Sequence, residues 1–447
     1  MKSFPSPSPL LTDLYQLTML QGYFEHGFNE RAEFEFFVRD LPEKRNFLIS
    51  AGLDEVLHYL GNLRFGSDDL KWLSGQKRFK KEFITYLEKF KFDGDVFAMP
   101  EGTIFFPGEP IIRISAPIPQ AQLIETRLIN LLQYQTMIAS KAIRSVIAAK
   151  GKLLVDFGLR RAHGAEAGLF AARASYLAGF SGTSTVLAGK LFNIPLYGTM
   201  AHSFIQAHDD EMTAFENFAL SQPDNVVILV DTYDILKAIS KVINLAKKLK
   251  KRNIAVQAIR LDSGDLKNDS FKIRKLLDSE GYADIKIFAS GDLDEYALEE
   301  FSSAEAPIDG YGVGTLMVTS SDAPYLECGY KLVQYAGLGR FKRSQNKETL
   351  PCPKQVYRII GNEGKYLGDE ITLKGEKRES EPLLKLVMKK GKRVNPAPPV
   401  AEIREYVKTQ LNQLPEELRD LNKKFNYAVK VSGLLKQYDK TISMDIQ

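Results

Sequence analysis

The sequence predicts an α/β protein: an irregular (β/α) barrel, preceded by an N-terminal α+β domain and followed by a small C-terminal subdomain packed on that domain. Three observations carry the prediction. Between residues 152 and 315, six short β-rich runs alternate with stretches of helical period, and such alternation implies a parallel sheet. Polar or glycine-rich motifs close nearly every run, as in (β/α) barrels, whereas a doubly wound sheet concentrates them at one switch point. On either side of this region the rhythm becomes mixed or strand-and-turn, which places domains at about 1–130, 131–345 and 346–447.

In chain order, "LTDLYQLTMLQGYFEHG" (11–27) has helical spacing ending at a glycine, and "RAEFEFFVRDLP" (31–42) alternates as a half-buried strand does. "GTIFFPGEPIIRISAP" (102–117) reads as short strands broken by turns. A long helical pattern fills 122–151, with Glu125, Arg127, Lys141 and Arg144 interrupting its apolar face and Gly151 closing it, so it is expected to bridge two domains. The β runs are then "KLLVDFG", "IPLYGTM", "NVVILVDT", "IAVQAIRLDSG", "IKIFASG" and "IDGYGVGT", with helices at "AGLFAARASYLAG", "DILKAISKVINLAKKLKK" and "SFKIRKLLDSEG" between them. Beyond 340, 341–377 and 382–394 read as turns and short strands, followed by a charged helical tail.

Composition narrows the function. With 44% hydrophobic and 26% charged residues the chain is of ordinary globular type, and a net charge of +4 spread among acidic neighbours gives no dedicated nucleic-acid surface. The basic clusters "KKLKKR" (247–252) and "KKGKR" (389–393) read as solvated helix and turn ends. Two cysteines, Cys328 and Cys352, form no zinc pattern and suit a reducing compartment. Prolines interrupt the opening residues where a signal peptide needs an apolar run, and no uncharged stretch spans a bilayer, so a cytoplasmic protein with no membrane partner is expected.

The chemistry gathers at strand ends. "DFGLRRAHG" (156–164) ends a strand with an aromatic ring and two adjacent arginines, which suit phosphate oxygens gripped in a fork; surface arginines beside a core Phe157 are the bland alternative. "IRLDSGDL" (259–266) and "ASGDL" (289–293) share Ser-Gly-Asp-Leu, which reads either as helix N-caps or as small residues admitting phosphate, with an aspartate for sugar hydroxyls or hydrated Mg2+. "GYGVGT" (310–315) adds a third glycine-rich end. His202, in "YGTMAHSFIQAH" (197–208), has no role by type alone, and its six-residue spacing from His208 suits no metal pair. No Walker-type or dinucleotide glycine motif occurs, so a ligand with several phosphates and a ribose-like sugar is the best fit.

Taken together, "TDLYQLTM", "ETRLINLLQYQTMIASKA", "DFGLRRAHG", "GTMAHSF", "RLDSGDL", "SGDLDE", "YGVGT" and "YKLV" occur in the order found in nicotinate phosphoribosyltransferases, which this chain resembles from about residue 10 to 395. The resemblance implies an ATP-dependent enzyme of NAD salvage that joins nicotinate to phosphoribosyl pyrophosphate, with Mg2+ (or Mn2+) accompanying the substrates. It implies that His202 is phosphorylated by ATP. Tyr15, Phe157, Thr199 and Arg260 correspond to nicotinate contacts, with Phe157 on the ring, Arg260 on the carboxylate and Tyr15 supplied by the neighbouring subunit of a homodimer. Arg160, Asp262, Ser290, Gly291, Gly312, Gly314 and Thr315 correspond to the phosphoribosyl pyrophosphate site, while the metal ligands stay unassigned. Ser184 stands where nicotinamide-using relatives carry an aspartate, which favours the acid over the amide. A nicotinamide-specific transferase and a catalytically silent binding protein are the alternatives. Two departures from the family pattern are His163, where glutamine is commoner, and "PCPK" (351–354), which replaces a Pro-Gly turn.

Overall fold

The structure is a computed structural model that describes residues 8–343 and 348–445, the last three by backbone alone. It divides into two compact units, one of residues 1–140 with 325–447 and the other of 141–324. The division falls inside the long helix Glu125–Ala148, which a short helix, Ile118–Leu123, precedes.

The second unit carries six parallel strands: β1 (Leu153–Asp156), β2 (Gly182–Thr183), β3 (Val227–Leu229), β4 (Ala258–Leu261), β5 (Lys286–Ser290) and β6 (Gly310–Val313). Their order is β2-β1-β6-β5-β4-β3, every pairing parallel. This is the mixed α/β fold expected, but among the described residues the sheet is open, with β2 and β3 as edges. The pairing gives no closed sheet, so it does not show the irregular barrel expected from the motifs at the strand ends. The run "IPLYGTM" forms no strand and makes only a single bridge, Leu196 to Thr183. Its Pro195 has no N–H for a ladder, and close packing takes up the space instead: a Cβ on Gly182 would meet Pro195 O at 2.3 Å. In its place the short strand β2 arises in "SGTST", which its length and small residues hid from a periodicity reading.

Helices follow the strands, and after β3, β4 and β5 their starts are fixed by aspartates. Asp234 accepts from Lys237 N at the head of Ile235–Lys250, Asp265 from Asn268 N at Leu266–Ser279, and Asp294 from Tyr296 and Ala297 N at Glu295–Ser303. The helix Ile235–Lys250 buries Ala238, Ile239, Val242, Ile243, Leu245, Ala246 and Leu249 on one face. On its other face Lys241, Lys247 and Lys248 pair with Glu211, Glu280 and Glu216, which neutralises much of the basic cluster there. Inside this unit Glu295, fully buried, holds Lys141 Nζ at 2.8 Å and Arg144 Nε at 2.8 Å.

The first unit is built on a seven-stranded antiparallel sheet in the order 338–339, 328–335, 31–38, 110–117, 95–98, 385–389 and 392–393. Strands from both ends of the sequence thus share one sheet. Strand Arg31–Val38 alternates as expected, yet its polar positions are not a solvent face. Glu33 accepts from Ser115 Oγ at 2.6 Å, and Glu35 accepts from Lys354 N at 2.7 Å and pairs with Lys354 Nζ at 2.8 Å. A smaller sheet, Lys354–Ile360, Tyr366–Leu373 and Val429–Val431, completes the unit, with helices Val400–Gln413 and Gly433–Asp445 in the tail. Both cysteines are free thiols, and no described helix is long and apolar enough to cross a membrane.

Candidate active site

The C-terminal ends of the parallel strands surround a cavity of about 840 Å³. Phe157, Arg160, Thr199, His202, Arg260, Asp262, Ser290, Gly291, Gly312, Gly314 and Thr315, which lie as much as 158 positions apart in sequence, all line it, as does Ser184. Tyr15 is the exception, lying in the first unit on helix Leu14–Glu25, half exposed.

At the centre is Arg260, on β4, with its side chain 14% exposed. Its Nη1 donates to Thr199 Oγ1 at 2.7 Å and to Met200 O at 3.2 Å, and its Nε donates to Ser290 Oγ at 3.0 Å. Nη2 lies 3.2 Å from Asp262 Oδ1. Four of its five N–H groups are thus engaged, so the guanidinium plane is held rigidly across the cavity. The ring of Phe157, just past β1, lies 5.8 Å from that guanidinium and against Gly312, where a Cβ would meet the ring at 2.5 Å. A side chain at 312 would displace the ring, so this glycine is there for close approach rather than for backbone freedom.

Asp262 is the hub of the opposite wall. Ser290 Oγ donates to it at 2.5 Å, Arg260 flanks it, and His202 Nε2 lies 3.8 Å from its Oδ2. Burial raises its pKa, but the Ser290 hydroxyl and the Arg260 and His202 neighbours outweigh that, and the carboxyl is held below the ordinary value. The two strand-end turns interlock, because Gly291, at φ +97°, sits where a Cβ would come 2.0 Å from Asp262 O. His202 opens a five-residue helix, His202–Gln206, and its Nδ1 is 3.1 Å from Thr232 Oγ1 past the end of β3. His208 lies beyond the end of that helix, with Nδ1 bonded to Phe204 O at 2.7 Å.

The cavity also takes Leu159, Met200 and Ala201, which strand-end reading did not select, and Arg161 and Asp292 from the motifs it did. Arg160 and Arg161 are both exposed and both line the cavity, which places two cations on one rim. Asp292, at φ +48°, faces the same space. Among the described residues no cluster of three or more His, Cys, Asp or Glu side chains forms a metal cage. Ser184 Oγ donates to Asp156 O at 3.1 Å, so this wall presents a neutral hydroxyl where a carboxylate would repel an anion.

Comparison with known proteins agrees with this geometry. Residues 10–133, 153–343 and 376–439 match the models of the nicotinate phosphoribosyltransferase (NAPRTase) N-terminal domain, family and C-terminal domain respectively. A nicotinate phosphoribosyltransferase of Mycobacterium tuberculosis is 46% identical over 425 residues, covering 95% of this chain and 91% of its own. That of Bacillus subtilis is 40% identical over 455 residues, covering 95% and 92%. The crystal structure of human nicotinic acid phosphoribosyltransferase superposes with a TM-score of 0.87 at 29% identity, covering 96% of this chain and 99% of that one. The chain belongs to the nicotinate phosphoribosyltransferase family.

Proposed function

We propose that this protein transfers the 5-phosphoribosyl group of phosphoribosyl pyrophosphate to nicotinate, giving nicotinate mononucleotide for NAD salvage, with ATP hydrolysis coupled through His202. The observation that carries the reading is the pairing of a rigid, largely buried guanidinium, Arg260, with an aromatic face, Phe157, in a wall where Ser184 presents no charge. A flat aromatic acid needs a π-face and one desolvated cation, and it finds both here. The pyridine nitrogen attacks the ribose C1, the bond from C1 to the pyrophosphate oxygen breaks, and pyrophosphate leaves. Because the nitrogen is already a nucleophile, the protein's work is positioning and charge stabilisation.

In this reading Thr199 and Arg260 hold the nicotinate carboxylate, and Tyr15 reaches the ring from the second subunit of a homodimer. Ser290 and Gly291, with the backbone of Gly312, Gly314 and Thr315, receive the 5′-phosphate; Arg160 takes the pyrophosphate and Asp262 the ribose hydroxyls. Mg2+ binds through one or two carboxylates and keeps waters and substrate phosphates as its other ligands. Asp262 and Asp292 on one wall fit that need, and the ion would neutralise charge on the departing pyrophosphate. His202, part exposed beside Asp262 and Thr232, is the phosphoryl acceptor from ATP. We also read the open sheet as an irregular barrel: Asn225 Nδ2 donates to Gly198 O at 3.1 Å between the edges, and Val155, Val227, Ala258, Ile287 and Gly310 line a common inner space of about 430 Å³. The expected location is the cytoplasm, with no nucleic-acid or membrane partner.

The test is the purified protein with phosphoribosyl pyrophosphate, Mg2+, ATP and either nicotinate or nicotinamide. Nicotinate mononucleotide should form, nicotinamide should be a poor substrate, and His202→Ala should lose ATP stimulation while keeping slow ATP-independent transfer. No product from either base at any ATP concentration overturns the reading. A preference for the amide overturns the role given to Ser184, and undiminished ADP formation per nucleotide in His202→Ala overturns the role given to the histidine.

A further inference from the structure

Asp156, the last residue of β1, is buried to 1% exposure and does not itself line the cavity. Its carboxylate has two donors on two different segments. Oδ1 accepts from Gly158 N at 2.8 Å, in the turn that carries Phe157, Leu159, Arg160 and Arg161. Oδ2 accepts from Thr183 Oγ1 at 2.7 Å, the residue before Ser184. The main chain repeats the link, since Asp156 O accepts both Ser184 N at 2.9 Å and Ser184 Oγ at 3.1 Å. Thr183 passes the order onward, its Oγ1 accepting from Thr185 N at 3.0 Å. The Phe157 turn has little room to slide, because a Cβ at Gly158 would strike Val318 Cβ at 2.7 Å.

A buried carboxylate is an expensive way to hold two loops together. Burial raises the Asp156 pKa, and the Thr183 hydroxyl and the Gly158 N–H offset only part of the rise, so the net shift is upward. Bonds to an ionised acceptor are about twice as strong as neutral ones and fix geometry more tightly, which matters where a site tolerates about half an ångström of play. We propose that Asp156 is a positioning residue for substrate selection, a buried anionic latch that sets the Phe157 turn and the Thr183-Ser184 strand end at the spacing a nicotinate ring requires. This rests on reading Phe157 and Ser184 as the nicotinate side of the cavity.

The link through Thr183 can be cut without touching the arginine turn. Thr183→Val is nearly isosteric, keeps Gly158 bonded to the carboxylate, and removes the hydroxyl that donates to Asp156 and accepts from Thr185 N. It should raise the KM for nicotinate by about tenfold, the order expected for one charge-assisted hydrogen bond. The KM for phosphoribosyl pyrophosphate should stay the same, and the ratio of kcat/KM for nicotinate over nicotinamide should fall. Thr183→Ser, which restores the hydroxyl, should recover most of the loss. In Asp156→Asn the amide can still accept from Gly158, but its NH2 group cannot accept from Thr183, whose proton is then stranded. That variant should raise both KM values, because Phe157 and Arg160 share its turn, and adding Thr183→Val to it should cost little more. Thermal melting of each variant separates a folding defect from a change in the site, and if Asp156→Asn does not fold, the Thr183 pair decides alone. A folded Thr183→Val with an unchanged nicotinate KM, or with both KM values raised, kcat lowered and no rescue by serine, overturns the proposal. Inactivity of the wild-type protein would instead overturn the function on which the proposal rests.

Discussion

Arg260 carries more of the site than any other side chain, because it joins Thr199, Met200, Ser290 and Asp262 in one plane. Arg260→Ala should weaken nicotinate binding by about 2 to 5 kcal/mol, the range for truncating one partner of a buried charge pair. Arg260→Lys should recover little of it, because an ammonium cannot reproduce the planar fork. Nicotinate KM values of the two variants check this, and a lysine variant near wild type would show that only charge matters. Context also separates identical residues. The tetrapeptide Ser-Gly-Asp-Leu occurs twice, but Asp265 in the first copy is a helix N-cap, whereas Asp292 in the second faces the cavity and leaves the capping to Asp294. The helix N-cap reading of that motif holds at the first copy, while the second copy turns its aspartate toward the cavity. Asp156 was not legible, since a buried acid at a strand end looks the same in sequence as an exposed one.

At the scale of elements, the strand ends were legible because each couples a β run to glycine or a short polar residue, whereas the strand edges were not. β2 is two residues long, and no period can be read from two residues. Strand Arg31–Val38 shows the opposite limit: its alternation was visible, but not that Glu33 and Glu35 would be buried against Arg113, Ser115 and Lys354. The helix Glu125–Ala148 hid its polar positions in the same way, for Lys141 and Arg144 interrupt its apolar face in order to meet Glu295. That acid follows directly on the turn with Ser290, Gly291 and Asp292, so the ion pairs also anchor a wall of the cavity. Removing one member of a buried ionic group leaves its partners uncompensated, and Glu295→Ala should cost about 3 kcal/mol or more. The figure lies toward the low end, because Asp322 remains 3.0 Å from Lys141 and the Tyr296 hydroxyl 3.0 Å from Arg144. Thermal melts at neutral pH test this, and a melting temperature within a degree of wild type would contradict it.

Across the whole molecule two buried acids, one in each unit, should answer pH with opposite signs. In the second, burial pushes the Glu295 pKa up, but Lys141 and Arg144 more than reverse it and the net shift is downward. A carboxyl lowered in the folded state contributes stability that is present above its unfolded value, near 4.5, and is lost as pH falls through the lower folded value. In the first unit Glu109 is fully buried and its pKa lies well above 4.5, chiefly from burial and then from Asp369 beside it. Arg358 cannot offset this for Glu109, because its guanidinium grips Asp369 in a fork, Nε to Oδ1 at 2.9 Å and Nη2 to Oδ2 at 2.6 Å, and the Tyr427 hydroxyl donates to the same carboxylate. One cation thus serves two acids, and between pH 4.5 and its raised folded value Glu109 takes up a proton on folding. Its contribution is fully present below pH 4.5 and is lost as pH rises through the raised folded value. Glu109→Gln, which mimics the protonated acid, should therefore be less destabilised than wild type as pH rises, and should differ little from it near pH 4. Amide hydrogen exchange, which reports each unit separately, should show the effect in strands Pro110–Pro117 and Tyr366–Leu373 and not in the parallel sheet. Equal pH slopes for the two proteins in those strands would mean that Glu109 is ionised in the folded state and that some other cation serves it.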